Sequence, residues 1–255
     1  MNVAISLFGI IPIYTFPLIL GVGSAAGLAW SVWRVADLPK TARSWLDSGI
    51  IALAGALVGG RIGFVWLNWP YFQATPAEIP QFWLGGMTWW GAFAGSLIAI
   101  PFLARRSGTS TGDLADNLLP LMTSLVISTW LACWLTGHAY GAEVDAWWGV
   151  PAVDEWGIVI MRWPVQLVGA LSGLGIHRLV EELRVRKWLP FSGLAANLQW
   201  IGISISILVL SPLRADPGPL WRGIRLDIWA SLGLILLSCI SILIHWAKKS
   251  ASDTS

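Results

Sequence analysis

Apolar residues in this chain fall into long runs that carry almost no charge, separated by short polar segments. Seven runs stand out, at about residues 3–33, 46–69, 86–103, 114–135, 163–179, 193–213 and 226–246. A helix of about 20 apolar residues matches the hydrocarbon thickness of a bilayer. Within lipid every backbone N–H and C=O must be bonded internally, so runs of this length predict helices. The expected fold is therefore all-α: a polytopic membrane bundle of about seven transmembrane helices. The first run is long enough to include an interfacial piece around Pro12, and the fifth is the shortest. No basic stretch precedes the first run and no small-residue cleavage site follows it, so it reads as a retained helix and not as a signal peptide. Without an internal repeat or low-complexity linker, residues 1–255 read as one domain.

The polar segments set the direction. If the helices alternate, Arg34, Lys40, Arg43, Arg105, Arg106, Arg178, Arg184, Arg186, Lys187, Lys248 and Lys249 share one side, and Arg162, Arg214, Arg222 and Arg225 the other. The excess of Lys and Arg marks the cytoplasmic side, which places the N-terminus outside and the C-terminus inside. The outer loops mix tryptophan, proline and acidic residues, a composition suited to the headgroup level, so chemistry or a partner is sought on that face.

Composition narrows the class further. The chain is 56% hydrophobic and 12% charged, against about 45–50% and 25% for soluble domains. A net charge of +2, with basic residues in short clusters between apolar runs, excludes a nucleic-acid partner. Cys133 and Cys239 both lie inside apolar runs and read as packing residues, neither disulfide halves nor zinc ligands. No metal site or cofactor is expected.

Four motifs give a more specific reading. The run GGRIGFVWLNWPYFQATPAEIPQFWLGGMTWWGAFAGSL, the segment PFLARRSGTSTGDLADNLLP, the loop TGHAYGAEVDAWWGV and the sequence RWPVQL occur in this order. Together they resemble the bacterial prolipoprotein diacylglyceryl transferases over about residues 13–167. In that family the matching stretches read G-A-R-L-G-Y, N-P-L-E-I and G-G-M-S-F-H-G-G, then N-G-E-L-Y-G-x-x-T-D-x-P-W-G-V and R-H-P-S-Q-L. The resemblance implies a seven-helix, N-out enzyme of the bacterial cytoplasmic membrane. Its reaction moves diacylglyceryl from phosphatidylglycerol to the thiol of a lipoprotein signal cysteine and releases glycerol phosphate. Such chemistry needs a thiolate and cations that hold the departing phosphate.

Carried over residue by residue, most of those groups are absent. The family's histidine falls on Trp90, its central arginine on Trp130, its two asparagines on Cys133 and Thr136, and its glutamate on His138. An N-terminal arginine and tyrosine fall on Tyr14 and Phe16, a second histidine on Trp163 and the glutamate after it on Gly169. If Arg214 and Asp216 match the late arginine and aspartate of the sixth helix, Ile207 and Ser211 take the places of its earlier arginine and glutamate. Gly137, Tyr140 and Gly141 are retained, as are Arg162 and Gln166. Loss of one charge-stabilising donor costs roughly 10²–10³ in rate.

Each remaining polar residue has a functional and a plainer reading. Arg61, inside a span, is either a headgroup ligand or a guanidinium bonded to backbone carbonyls or Glu78. Arg162, Gln166 and Arg214 are candidate lipid or headgroup ligands or loop anchors, and the Arg214, Arg222, Arg225 group near Asp216 and Asp227 could equally be solvated pairs. His138 is the residual catalytic candidate or a hydrogen-bonded loop histidine; His177 and His245 read as snorkelling interfacial groups. Two functions follow. One is a non-catalytic family member that binds lipid or scaffolds a membrane assembly, with phospholipid and other membrane subunits as partners. The other is an active, divergent transferase acting on phosphatidylglycerol.

Overall fold

The computed structural model describes residues 3–7, 11–34 and 39–253. Its elements in chain order are β1 (Val3–Leu7), β2 (Ile11–Tyr14), α1 (Thr15–Trp33), α2 (Pro39–Leu67), α3 (Trp69–Ala74), α4 (Trp89–Ser107), α5 (Thr111–Asn117) and α6 (Leu119–Thr136). There follow β3 (Val150–Val153), β4 (Val159–Arg162), α7 (Val165–Val185), α8 (Leu194–Leu210), β5 (Leu220–Trp221), β6 (Ile224–Arg225) and α9 (Leu226–Asp253). Long helices occupy all seven predicted runs. Among the described residues five are long and apolar enough to cross a membrane: α1, Trp45–Leu67 of α2, α6, α8 extended to Leu213, and Leu226–Ala251 of α9. The other two, α4 and α7, are 19 and 21 residues long. Their ends carry Arg105 and Arg106, and Glu181, Glu182 and Arg184, which dilute their hydropathy.

Two predicted boundaries change. The first run does not begin as a helix: β1 and β2 form an antiparallel hairpin and α1 starts only at Thr15. Residues 8–10 and the side chains of Lys40 and Arg43, used above for orientation, lie outside the described residues. The fourth run breaks at Leu118, because Pro120 has no N–H to continue the hydrogen-bond ladder of α5. Two further hairpins, β3–β4 and β5–β6, sit in the outer loops.

The chain divides into two compact units, residues 24–121 and residues 1–23 with 122–255. In the first, α2 packs along α4 through glycines. A methyl at Gly59 would strike the Gly91 carbonyl, and one at Gly55 would come within 2.9 Å of the Gly95 carbonyl. Small residues allow such backbone approach, which replaces the hydrophobic drive that lipid cannot supply. In the second unit α8 packs against both α7 and α9.

That second packing hides an unexpected polar seam. His177 is only 1% exposed, so it does not snorkel; its Nδ1 lies 3.2 Å from Gln199 Oε1, and Gln199 Nε2 donates to Thr123 Oγ1 at 2.7 Å. His245 does behave as an exposed end-of-helix residue, stacked on Phe191.

Candidate functional site

The outer end of α6 turns at Gly137, whose left-handed backbone (φ 73°) lets the His138 N–H reach back to the Cys133 carbonyl. Glycine favours such an end because it pays no Cβ penalty there. The chain then runs against two neighbours. Ala142 N–H donates to Leu213 O and Ala215 N–H to Tyr140 O, while Trp163 N–H donates to Ala142 O. A methyl on Gly141 would press into the Trp163 backbone at 3.0 Å or less. The retained glycine is thus needed for the loop to pass between Trp163 and Arg214.

On one side of this loop stands Arg162, 7% exposed. Its guanidinium bonds Asp154 at 3.1 Å and Gly141 O at 3.4 Å and lies 4.5 Å over the Tyr140 ring. Asp154 Oδ1 also accepts the N–H groups of Trp156 and Ile158. Burial, together with its hydrogen bond to Glu155, pushes the Tyr140 hydroxyl up to about 12. Gln166 Nε2 donates to the His138 carbonyl.

On the other side Arg214 grips Asp216 through two nitrogens, at 2.7 and 2.8 Å, and Asp227 at 2.8 Å. Arg225 bonds the Asp216 carbonyl and approaches both carboxylates, and Ser211 Oγ donates to Asp227. Burial pulls the Arg214 guanidinium down, but hydrogen bonding to Asp216 and the charges of Asp216 and Asp227 raise it above its ordinary value. These four side chains are only 10–18% exposed. The predicted solvated group is therefore a closed ionic cluster, and Arg222 stands outside it against the Trp221 ring.

Arg61 proves structural in its contacts. Its nitrogens donate to the carbonyls of Glu78, Ile79, Gly85 and Gly86 at 2.6–3.1 Å, which clamps residues 76–86 to α2. The Glu78 carboxylate instead accepts from Tyr71. His138 is exposed; its Nδ1 meets Thr136 Oγ1 at 3.0 Å, and Phe16 lies edge-on to its ring. Trp90 packs over Gly63 and edge-on to Trp66. Among the described residues no group of His, Cys, Asp and Glu is arranged to hold a metal.

Three positions separated widely in sequence meet inside the second unit. Trp130, Gly169 and Ile207 line a cleft of about 10 Å³ together with Ser172, Ile203 and Ser206. The Trp130 indole lies on the bare Cα of Gly169, where any Cβ would come 2.7 Å from Nε1. A space of this size holds about one water. The motif resemblance pointed to both positions separately, but only the packing of α6 on α7 brings Trp130 and Gly169 into contact. Asp154, the acidic partner of Arg162, carried no motif that singled it out, whereas Asp227 was already visible as an acidic neighbour of Arg214.

Helices long and apolar enough to cross a membrane, joined by polar loops, define a multi-pass helical membrane protein. The prolipoprotein diacylglyceryl transferase family profile matches residues 2–244, and the chain belongs to that family. It is 27% identical to the phosphatidylglycerol–prolipoprotein diacylglyceryl transferase of Brucella anthropi over 92% of this chain and 88% of the relative. The protein of the same name from Nitrosospira multiformis is 28% identical over 92% and 82%. That of Solidesulfovibrio magneticus is 32% identical over 58% of this chain and 52% of the relative. These relatives are named as transferases, and nothing in the likeness supports the expected non-catalytic status.

Proposed function

We infer that this chain is a phospholipid-binding protein of the bacterial cytoplasmic membrane that carries out the family's transfer at no more than a background rate. The observation that supports this reading is Trp130 seated on Gly169 beside Ile207. By the motif alignment those positions hold an arginine, a glutamate and a second arginine in the family. Here an indole and an aliphatic side chain occupy the space, and among the described residues that line it there is no cation to face a leaving phosphate. Arg61, Arg162 and Arg214 are each engaged by carbonyls or carboxylates of the chain itself. Headgroup contact through Arg162, Gln166 or Arg214 therefore requires the outer loop to open, because Arg162 and Gln166 are buried, and association with other membrane subunits fits the tryptophan-rich surface.

The second reading is an active transferase that takes phosphatidylglycerol as donor, and the names of the relatives favour it over the first. It would form a bond from thiolate sulfur to the diacylglyceryl carbon, break that carbon's bond to phosphate oxygen, and release glycerol phosphate and the thiol proton. His138 would receive the proton, and Arg162 or Arg214 would have to leave its carboxylate to meet the phosphate. Purified protein in phosphatidylglycerol bilayers, given a signal peptide bearing the acceptor cysteine, distinguishes the two. We expect peptide alkylation equal to a protein-free control; turnover above it, or growth rescue of a cell depleted of its transferase, establishes the second reading.

A further inference from the structure

The hairpin β3–β4 violates the usual alternation of a surface strand pair. In its register Val150 faces Arg162 and Ala152 faces Ile160 on one side, while Pro151 faces Met161 and Val153 faces Val159 on the other. The first side is the inner one, where Arg162 and Ala152 are buried. The second is outer and wholly apolar, with Val159 61% and Met161 43% exposed. A strand pair with one solvated face should read polar on that face. This one does not.

The tip extends the same surface. Trp156 is 75% and Ile158 57% exposed, and Trp147 in the preceding loop is 95% exposed. Trp156 and Ile158 are held there by rigid means: Asp154 Oδ1 accepts their two backbone N–H groups, Gly157 adopts φ 84°, and Arg162 pins Asp154 from below. Large apolar side chains held this firmly away from the protein's own core mark a contact surface.

We propose that the outer face of β3–β4, with Trp147 and Trp156, is a wedge seated in the headgroup layer of the outer leaflet. Two observations choose lipid as the occupant. The hairpin joins the end of α6 to the start of α7, and Trp134 in the last turn of α6 donates its indole N–H to the Pro151 carbonyl. The hairpin is thereby fixed to the last turn of α6, and α6 and α7, the two helices that it joins, themselves expose apolar residues, Leu135 on the one and Val168 and Leu171 on the other. Indole rings are at home at this level, where the ring is apolar and the N–H is wet. The rim of the loop, Glu143, Asp145 and Glu155, is exposed and acidic, which suits zwitterionic headgroups over anionic ones.

The test places an environment-sensitive fluorophore on single cysteines in a chain whose Cys133 and Cys239 are serine. Trp147→Cys and Trp156→Cys report the wedge and Glu143→Cys the rim; all three residues are exposed, so labelling does not threaten the fold. In bilayer discs of phosphatidylethanolamine, a lipid carrying a shallow nitroxide should quench positions 147 and 156 severalfold more than aqueous iodide does. The order should reverse at position 143. Iodide prevailing at 147 and 156 would place the face in water and overturn the proposal. Protection from both quenchers would mean that a protein covers it, which also overturns it. Adding phosphatidylglycerol should weaken lipid quenching at 156, and unchanged or stronger quenching removes the preference for zwitterionic headgroups.

Discussion

Trp130 and Gly169 are one structural event written at two places in the chain. Gly169→Ala should cost about 1–3 kcal/mol, the usual penalty for forcing extra volume into a packed core, because its Cβ lands on the indole. Thermal unfolding in detergent measures that loss, and pairing it with Trp130→Val should cost less than the two changes summed. Equal additivity would show that the residues do not share the space. Tyr140 offers a second measurement. Its folded value of about 12 exceeds that of an unfolded tyrosine near 10, so above pH 10 the folded state holds the proton longer. Stability contributed by the neutral hydroxyl is complete below pH 10 and declines as pH rises towards 12. A variant with Tyr140→Phe should show a shallower fall in unfolding temperature across that window.

Helices α2 and α4 are joined by close backbone approach. On α2 and α4 the glycines face one another so closely that a methyl at Gly59 meets the opposite carbonyl, whereas one at Gly21 meets nothing within 4 Å. Gly59→Ala should therefore lower the unfolding temperature clearly while Gly21→Ala leaves it level or raises it, since alanine is the better helix former. The loop after α3 depends on a charge instead. Arg61 satisfies four carbonyls between Glu78 and Gly86, and Arg61→Gln leaves several of them without a donor, at about 1–3 kcal/mol per buried orphan. Limited proteolysis should then cut residues 76–86 first. An unchanged cleavage pattern would mean that the loop holds itself.

For the molecule as a whole, the basic residues predict that Arg105 and Arg184 face the cytoplasm and that Glu78, Asp154 and Pro217 lie on the outer side. Single cysteines placed at Arg106 and at Pro217, labelled in intact cells by an impermeant maleimide, should react only at 217; labelling at 106 alone would invert the topology. The sequence by itself determined the membrane class, the seven long helices and the family, because these depend on the length of apolar runs and on the local order of motifs. The resemblance also offered Trp130, Gly169 and Ile207 as places where the family's polar residues would stand. What the sequence could not determine was which side chains meet. The β1–β2 hairpin inside an apolar run was invisible because strand and helix share the same residues when both faces are apolar. His177 looked interfacial from its place near a charged helix end, yet Gln199 and Thr123 on two other helices supply the partners that let it be buried. Arg214 with Asp216 and Asp227 read equally as a headgroup site or as solvated pairs, and only the fold closed them into one largely buried cluster. Hydrophobicity and charge are properties of residues and can be read in order along a chain, whereas the cost of burying an ion or a ring is decided by neighbours that only the tertiary structure brings together.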